Sequence, residues 1–361
     1  MKKYKYSMKA LFFLMIFVST TFAIAQKQVF TTSITKNFEV SPLTQFSLSN
    51  FNGDIDVELW TKNEVEVNVV FEVNTPKVNK SSIYLQAFSL NINNDSAKNI
   101  FISSNINKNY LDNSFNNGRS DYRINYHLKI PVYLNASFKN KYGDIHLPEM
   151  SGSVFVKLSY GKLTASNFTA DETKQISHFD LRYASMTVNK ANWLDVEADY
   201  SVVKVNEVKA ITLNSSYSDI TINDVFSATL KSRYDKINFG NMSKLNINMN
   251  YSKLTIKFLK TDIQCVARYS PLTILDLYEN FSNVWFDLSY SDATVYINNL
   301  ACFNINSDVE YGKTYLPKRS NVNNYISPVS FKTNGTVGCI TGATVDFSVK
   351  AKYSDINIIE H

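Results

Sequence analysis

Four tyrosines at positions 200, 217, 234 and 251 stand 17 residues apart, each opening a related tetrapeptide: Tyr200-Ser201-Val202-Val203, Tyr217-Ser218-Asp219-Ile220, Tyr234-Asp235-Lys236-Ile237 and Tyr251-Ser252-Lys253-Leu254. The same slot recurs outward at Tyr142, Tyr160 and Tyr183, and then at Tyr269, Tyr290, Tyr311 and Tyr353. Successive spacings are 18, 23, 17, 17, 17, 17, 18, 21, 21 and 42. A fixed short period means that one small unit is stacked on copies of itself. The final gap is about two units long, so one tyrosine slot is expected to have been lost near 330–336.

With each tyrosine as position zero, apolar residues fall at −6, −4 and −2 (Leu245, Ile247 and Met249 before Tyr251). They fall again at +3, +5 and +8 (Ile220, Ile222 and Val225 after Tyr217). Alternation at period two marks strands with one buried face. The phase changes between zero and +3, which places a bend at Tyr-Ser-Asp. A second bend is expected near +6 to +10, where Asn and Asp gather. Two short strands and two bends cannot bury a face alone, whereas stacked coils merge their inward columns into one core. A helix would need apolar residues at i, i+3, i+4 and i+7, which these segments lack. The expected fold is all-β: a single-stranded β-helix of 17–18-residue coils over 136–361, about 55 Å long at the usual strand spacing. A sandwich of long hairpins is the rival. Tyrosine continues the inward parity of −2 and −4, so two readings stand: a structural column of rings at a corner, or an exposed aromatic stripe for glycan or peptide.

The chain opens Met1-Lys2-Lys3-Tyr4-Lys5, runs apolar through 10–18 and reaches Ala23-Ile24-Ala25. This is the pattern of a secretory signal peptide over 1–25, with cleavage expected after Ala25. No later apolar run approaches the 18 residues a spanning helix needs. The net charge of +5 is largely the leader's: removing its four lysines leaves 33 Lys and Arg against 32 Asp and Glu. Nothing basic then remains to attract nucleic acid. Three cysteines are an odd number for an exported chain. Cys265 occupies an inward slot and reads as a small buried hydrophobe. Cys302 and Cys339 either bridge two late coils or stay as thiols.

Residues 26–135 lack the 17-residue beat but keep strand alternation. Gly53–Trp60 and Glu64–Val73 flank a turn at Thr61-Lys62-Asn63 and read as a hairpin or meander. Further strands are expected at 83–92 and at 122–130, ending at Pro131. This segment reads as an antiparallel module that caps the first coil and blunts its edge.

Phe51-Asn52-Gly53-Asp54-Ile55, Ile130-Pro131-Val132-Tyr133-Leu134, Asn140-Lys141-Tyr142-Gly143-Asp144-Ile145-His146-Leu147-Pro148 and Lys157-Leu158-Ser159-Tyr160-Gly161-Lys162-Leu163 together resemble the DUF4097 family. These are exported, adhesin-like proteins of Bacteroidetes-type bacteria, similar to the GIN β-helix domains. The resemblance covers most of the chain after the leader. It implies an exported β-helix and supplies no catalytic residue. The chain departs from it in longer coils at 163–183 and 272–311.

Site chemistry is sparse. His127, His146, His178 and His361 show no metal-ligand spacing and read as surface or strand residues, so no metal and no cofactor is expected. The +2 column mixes acid and base (Asp144, Lys162, Asp219, Lys236, Lys253, Asp292, Lys313) and reads as a solubilising edge. The sequence therefore points to a non-enzymatic exported solenoid, an adhesin-like surface or envelope scaffold, in the periplasm or at the cell surface. Its partner would be a glycan or an envelope protein. A carbohydrate-active lyase or hydrolase is the alternative, its cleft walled by 164–179, 278–284 and 317–328. Edge-to-edge self-association through a terminal strand at 353–359 is a third.

Overall fold

A computed structural model describes residues 26–94, 98–170, 176–339 and 342–361. The expected signal peptide, 1–25, lies outside the described residues. The chain is a β-solenoid whose regular coils are the strands Ser185–Asp199, Val202–Ser216, Asp219–Arg233, Lys236–Asn250 and Lys253–Arg268. Neighbours run parallel and pair residue for residue one repeat apart, as in Asp219↔Lys236 through Arg233↔Asn250. Among the described residues no helix is long and apolar enough to cross a membrane.

Positions +3, +5, +8, +11, +13 and +15 of a coil are buried, as the apolar spacing predicts. In the coil that starts at Tyr217 these are Ile220, Ile222, Val225, Ala228, Leu230 and Ser232. Burying each large aliphatic side chain stabilises the rod by about 1.5–3 kcal/mol. Ladder pairing skips +6 and +9, where the chain turns. At +6 the amides of Asn189, Asn206 and Asn223 form a chain of side-chain hydrogen bonds from rung to rung at 3.2–3.5 Å.

The tyrosine corner departs from the expected inward parity. All eleven tyrosines have φ between 50° and 62°, the left-handed region. That backbone turn swings the ring outward and points the next residue, at +1, into the core. Ser201, Ser218, Asp235, Ser252, Ser270, Ser291 and Ser354 are accordingly buried.

Both ends are stacked out of chain order. The coil made by Gln45–Ser49 and Ile55–Leu59 lies between the coil of Asn99–Ile106 and Asp121–Ile130 and the coil of Asn135–Lys141 and Ile145–Leu147. The hairpin expected between 53–60 and 64–73 therefore does not form. Ile55–Leu59 pairs in parallel on both sides, while Glu64–Thr75 lies antiparallel between Gln28–Glu39 and Asp121–Ile130. Asn52, with φ 65°, takes the tyrosine's place in the inserted coil. At the other end Asp346–Lys352 and Ile356–Glu360 slot between the coil of Asn283–Ser289 and Ala293–Ile297 and the coil of Phe303–Glu310 and Thr314–Tyr315. No slot has been lost near 330–336. Ser330–Val337 instead folds antiparallel onto Phe303–Glu310, and Ser320–Ile326 onto Ser330–Val337. The strand expected to be a free edge at 353–359 is instead paired with Ala293–Ile297 on one side and, over Ile356 and Asn357, with Thr314–Tyr315 on the other, and the hairpin covers Phe303–Glu310 of the last coil. Cys302 and Cys339, with Cα atoms 5.0 Å apart, join in a disulfide at the base of that hairpin.

Close stacking leaves some positions no room for a side chain. A Cβ on Gly143 would sit 2.0 Å from the Gly53 carbonyl oxygen of the inserted coil. Gly143→Ala is expected to cost about 3 kcal/mol, the upper end for overpacking. A thermal midpoint equal to that of the unsubstituted protein would show that the 52–54 corner yields instead.

The segments 77–85 and 108–116, on either side of the coil strand Asn99–Ile106, are tied together by one carboxylate. Asp112 accepts hydrogen bonds from Tyr84 Oη (2.7 Å), Ser114 N (2.9 Å), Lys77 Nζ (2.8 Å) and Lys80 Nζ (3.1 Å). Burial works to raise its pKa, but the Lys77, Ser114 and Tyr84 hydrogen bonds outweigh it and hold the carboxyl far below the usual range. A depressed folded-state pKa contributes stability in full above the unfolded value, about 4, and loses it as pH falls below that. Amide exchange in 77–85 and 108–116 should accelerate selectively below about pH 4, and Asp112→Asn should abolish that selectivity.

Candidate functional site: the tyrosine ladder

The outward tyrosine rings form one continuous stack. Centroids lie 4.7–5.2 Å apart and planes within 18° of parallel through Tyr142, Tyr160, Tyr183, Tyr200, Tyr217, Tyr234, Tyr251, Tyr269, Tyr290, Tyr353 and Tyr311, in that spatial order. Tyr353 precedes Tyr311 because the last coil in sequence is the penultimate one in space. The ring spacing is the strand spacing. Each of these tyrosines is between 39% and 53% exposed, and inside the stack both faces of a ring are taken by its neighbours. Phe51 closes one end edge-on, 5.4 Å from Tyr142 at 87°. At the other end the Val329 carbonyl accepts the Tyr311 N–H at 2.9 Å, as the next coil's carbonyl does elsewhere.

A left-handed backbone costs a side-chain-bearing residue about 1–2 kcal/mol. Two features offset it. Each stacked pair contributes about 0.5–1.5 kcal/mol beyond its buried area. Beneath the rings, the inward +1 side chains form a second ladder. Each Ser Oγ accepts the +1 N–H of the coil before it, as in Ser201 N to Ser218 Oγ at 3.0 Å and Ser252 N to Ser270 Oγ at 2.9 Å. The same Oγ donates to the carbonyl two residues back, as Ser218 does to Ser216 at 2.9 Å. Asp235 replaces serine once. It accepts Ser218 N at 2.8 Å, Arg233 N at 3.1 Å, and the Ser215 and Ser232 hydroxyls at 2.6 Å each. From Ala184 to Ser291 the +1 N–H of every coil is thereby met. The serine column was legible in the repeated Tyr-Ser pair, but its inward direction depends on the sign of φ, which no spacing reports.

The ladder is flanked by charge. Lys141, Arg233 and Lys352, each preceding a ladder tyrosine, place their cations 4.9, 5.3 and 5.8 Å from the ring centroids. On the other side the +2 aspartates do more than solubilise. Asp144 Oδ1 accepts the Lys162 N–H at 2.8 Å, and Asp292 Oδ1 the Asp355 N–H at 2.8 Å, so they clip one rung to the next.

Away from the ladder the hollows are open. One of about 360 Å³ gathers Asp287, Asp308 and Glu310. Each carboxylate there is already paired: Asp287 with Arg268 at 3.1 Å, Asp308 with Lys332 at 2.8 Å and Glu310 with Lys352 at 3.0 Å. Of the stretches expected to wall a cleft, 317–328 belongs to the covering hairpin. Among the described residues no group of three or more His, Cys, Asp or Glu is arranged to ligate one metal directly. Cys265 is fully buried, and burial pushes its thiol far up.

No family model and no curated protein matches the chain. Solved structures similar to it include a provisionally named cell adhesion protein from Clostridium sporogenes, 10% identical, with 92% of this chain and 100% of that chain covered and a TM-score of 0.19. Another is a provisionally named adhesin from Bacteroides fragilis, 10% identical, covering 91% and 97%, with a TM-score of 0.31. A third, from Parabacteroides distasonis and also provisionally named an adhesin, is 9% identical, covers 74% and 90% and scores 0.24. At these identities and scores, any functional reading rests on the chain's own geometry.

Proposed function

We propose that this protein is a non-enzymatic, exported β-solenoid that acts as a rigid, adhesin-like surface or envelope scaffold of the DUF4097 type. The observation that carries the reading is the unbroken row of eleven half-exposed tyrosine edges, held in a costly backbone conformation at every rung. Local strain repeated at each repeat is characteristic of a surface whose shape matters. Because neighbours occupy the ring faces, the row offers hydroxyls and ring edges, interleaved with Lys, Arg and Asp. This suits a long polar partner, such as a glycan or an envelope protein, laid along the rod, better than a single sugar stacked face-on. Such contacts are individually weak and gain strength by repetition.

The test is made in cells. A strain lacking the gene is compared with strains complemented by the unsubstituted chain or by one with Tyr200, Tyr217, Tyr234 and Tyr251 changed to Asn, which tolerates the left-handed backbone. Attachment or envelope integrity should fall in the deletion strain and return only with the intact ladder. Unchanged attachment, surface structure and envelope integrity on deletion would refute the reading. Equal rescue by both chains would move the function off the ladder.

A further inference from the structure

At the second bend of each regular coil, +7 and +9 point outward on either side of the buried +8 residue. Two columns of side chains therefore run along the rod with a shallow groove between them. Over the coils that begin at Tyr200, Tyr217, Tyr234 and Tyr251 this groove holds a hollow of about 310 Å³. Its +7 side is in register, Glu207↔Asp224↔Asn241↔Phe258. Its +9 side runs Lys209, Phe226, Ser243 and Lys260. Phe226 and Phe258 thus stand on opposite sides, two rungs apart, or about 10 Å along the rod. The rung between them carries only the shorter Asn241 and Ser243.

Phe226 is 59% exposed, an apolar surface facing solvent at the rim. Phe258 is half-buried and braced by Tyr278 of the next coil, 6.1 Å away at 60°. Pairing passes from Met242↔Leu259 to Lys244↔Asp262, so Ser243 lies opposite two residues, Lys260 and Thr261. Such a bulge re-aims a side chain. Thr261 Oγ1 donates to the Ser243 carbonyl at 2.6 Å and holds it in place. The carboxylates of the hollow lie at the far end and are engaged. Glu207 pairs with Lys190 at 2.8 Å, and Asp224 Oδ1 accepts Asn241 Nδ2–H at 2.7 Å. Lys209 shares the rung of Glu207 and adjoins that of Asp224, whereas Lys260 stands two rungs beyond Asp224. Among the described residues Lys260 has no ion-pair or hydrogen-bond partner for its ammonium. The hollow is therefore polarised, with its unmatched positive charge beside the two phenylalanines.

We propose that this hollow binds one ring of an acidic saccharide. The ring lies between Phe226 and Phe258 over Asn241 and Ser243, with its carboxylate on Lys260. Apolar walls with a few convergent polar groups are the usual make-up of a small-ligand site, and a carboxylate on an ammonium is a strong, charge-assisted contact. The site lies at the other bend from the tyrosine ladder and does not rest on it.

The test titrates the full chain after the leader with two acidic tetrasaccharides, tetragalacturonate and a hyaluronan tetrasaccharide, by calorimetry at low salt. The fully methyl-esterified tetragalacturonate and tetraglutamate serve as comparisons. At least one acidic saccharide is expected to bind at sub-millimolar concentration, with its ring protons shifted upfield in NMR by the aromatic rings. Phe226→Ala should weaken binding by about 10-fold or more and remove the upfield shift. Lys260→Ala should weaken it by about 10-fold. Methyl-esterified tetragalacturonate should bind the unsubstituted chain about as weakly as the acid binds Lys260→Ala. Lys204→Ala, which removes an exposed lysine from the adjoining strand outside the hollow, should change nothing. Thermal midpoints check that the variants fold. The proposal is overturned if neither acidic saccharide binds below millimolar concentration, if Phe226→Ala or Lys260→Ala binds as the unsubstituted chain does, or if the ester binds as tightly as the acid. Equal binding of tetraglutamate would also overturn it, by making the hollow a site for acidic peptide rather than for a sugar ring.

Discussion

Tyr217→Ala is expected to destabilise the rod more than Tyr217→Gly, the reverse of the order inside an ordinary strand. The ring of Tyr217 stacks on Tyr200 and on Tyr234, each 4.8 Å away. Either substitution loses both contacts, about 0.5–1.5 kcal/mol apiece beyond area, together with the partial burial of the ring. The total for alanine is about 3 kcal/mol. Alanine keeps a Cβ at φ 52°, whereas glycine does not. Relief of the left-handed conformation, about 1–2 kcal/mol, exceeds glycine's extra entropy, about 0.5–1 kcal/mol, so glycine should be the milder change by about 0.5–1 kcal/mol. Tyr217→Phe retains the stack and should lie within about 0.5 kcal/mol of the parent. Thermal midpoints for the three variants check the order. If alanine proves no worse than glycine, the backbone is not strained at this corner. If phenylalanine is as damaging as alanine, the hydroxyl rather than the stack holds the ladder.

The coil itself was readable because its core obeys period two: Ile220, Ile222, Val225 and Leu230 are all buried where the spacing put them. The tyrosine direction was not readable. A left-handed φ inverts the parity of a single residue, and tyrosine is a poor predictor of that conformation, unlike the Asn-Gly pair at 52–53. The order of the coils escaped as well, for a different reason. Periodicity reports what a segment must stack against, namely a similar coil, but every coil is similar, so nothing local distinguishes stacking on the next coil from stacking on one beyond it. This is why the 42-residue gap looked like a missing slot, and why Ile55–Leu59 could not be placed between Asp121–Ile130 and Ile145–Leu147 from spacing alone. Asp235 is a further case. In sequence it breaks the serine column, yet in the structure it occupies the serine's place and meets the same Ser218 N–H.

Deleting residues 346–361 should release the whole C-terminal end, far more than the loss of one ordinary terminal strand would. The segment is an interior rung: it buries Phe347, Val349, Ala351, Ile356 and Ile358 between two coils and carries the ring that links Tyr290 to Tyr311. Its removal withdraws burial worth about 5–10 kcal/mol as an upper limit. The coil of Phe303–Glu310 then faces a gap two strand spacings wide, about 10 Å. Because each coil of a solenoid contacts only its neighbours, the damage should stop at the next intact rung. Limited proteolysis followed by mass spectrometry should therefore find 299–345 cleaved and the coils up to Ile297 resistant. Cys302→Ser in the full chain, which leaves the rung in place, should cost only about 3 kcal/mol and keep 299–345 protected in native buffer. A truncated chain as resistant throughout as the full one would mean that Phe303–Glu310 can dock directly on Asn283–Ser289, and that the out-of-order rung is dispensable. The same geometry bears on folding. The slot for 346–360 must stay open, or reopen, until these residues arrive, so closing this end is a long-range step that should follow formation of the regular coils.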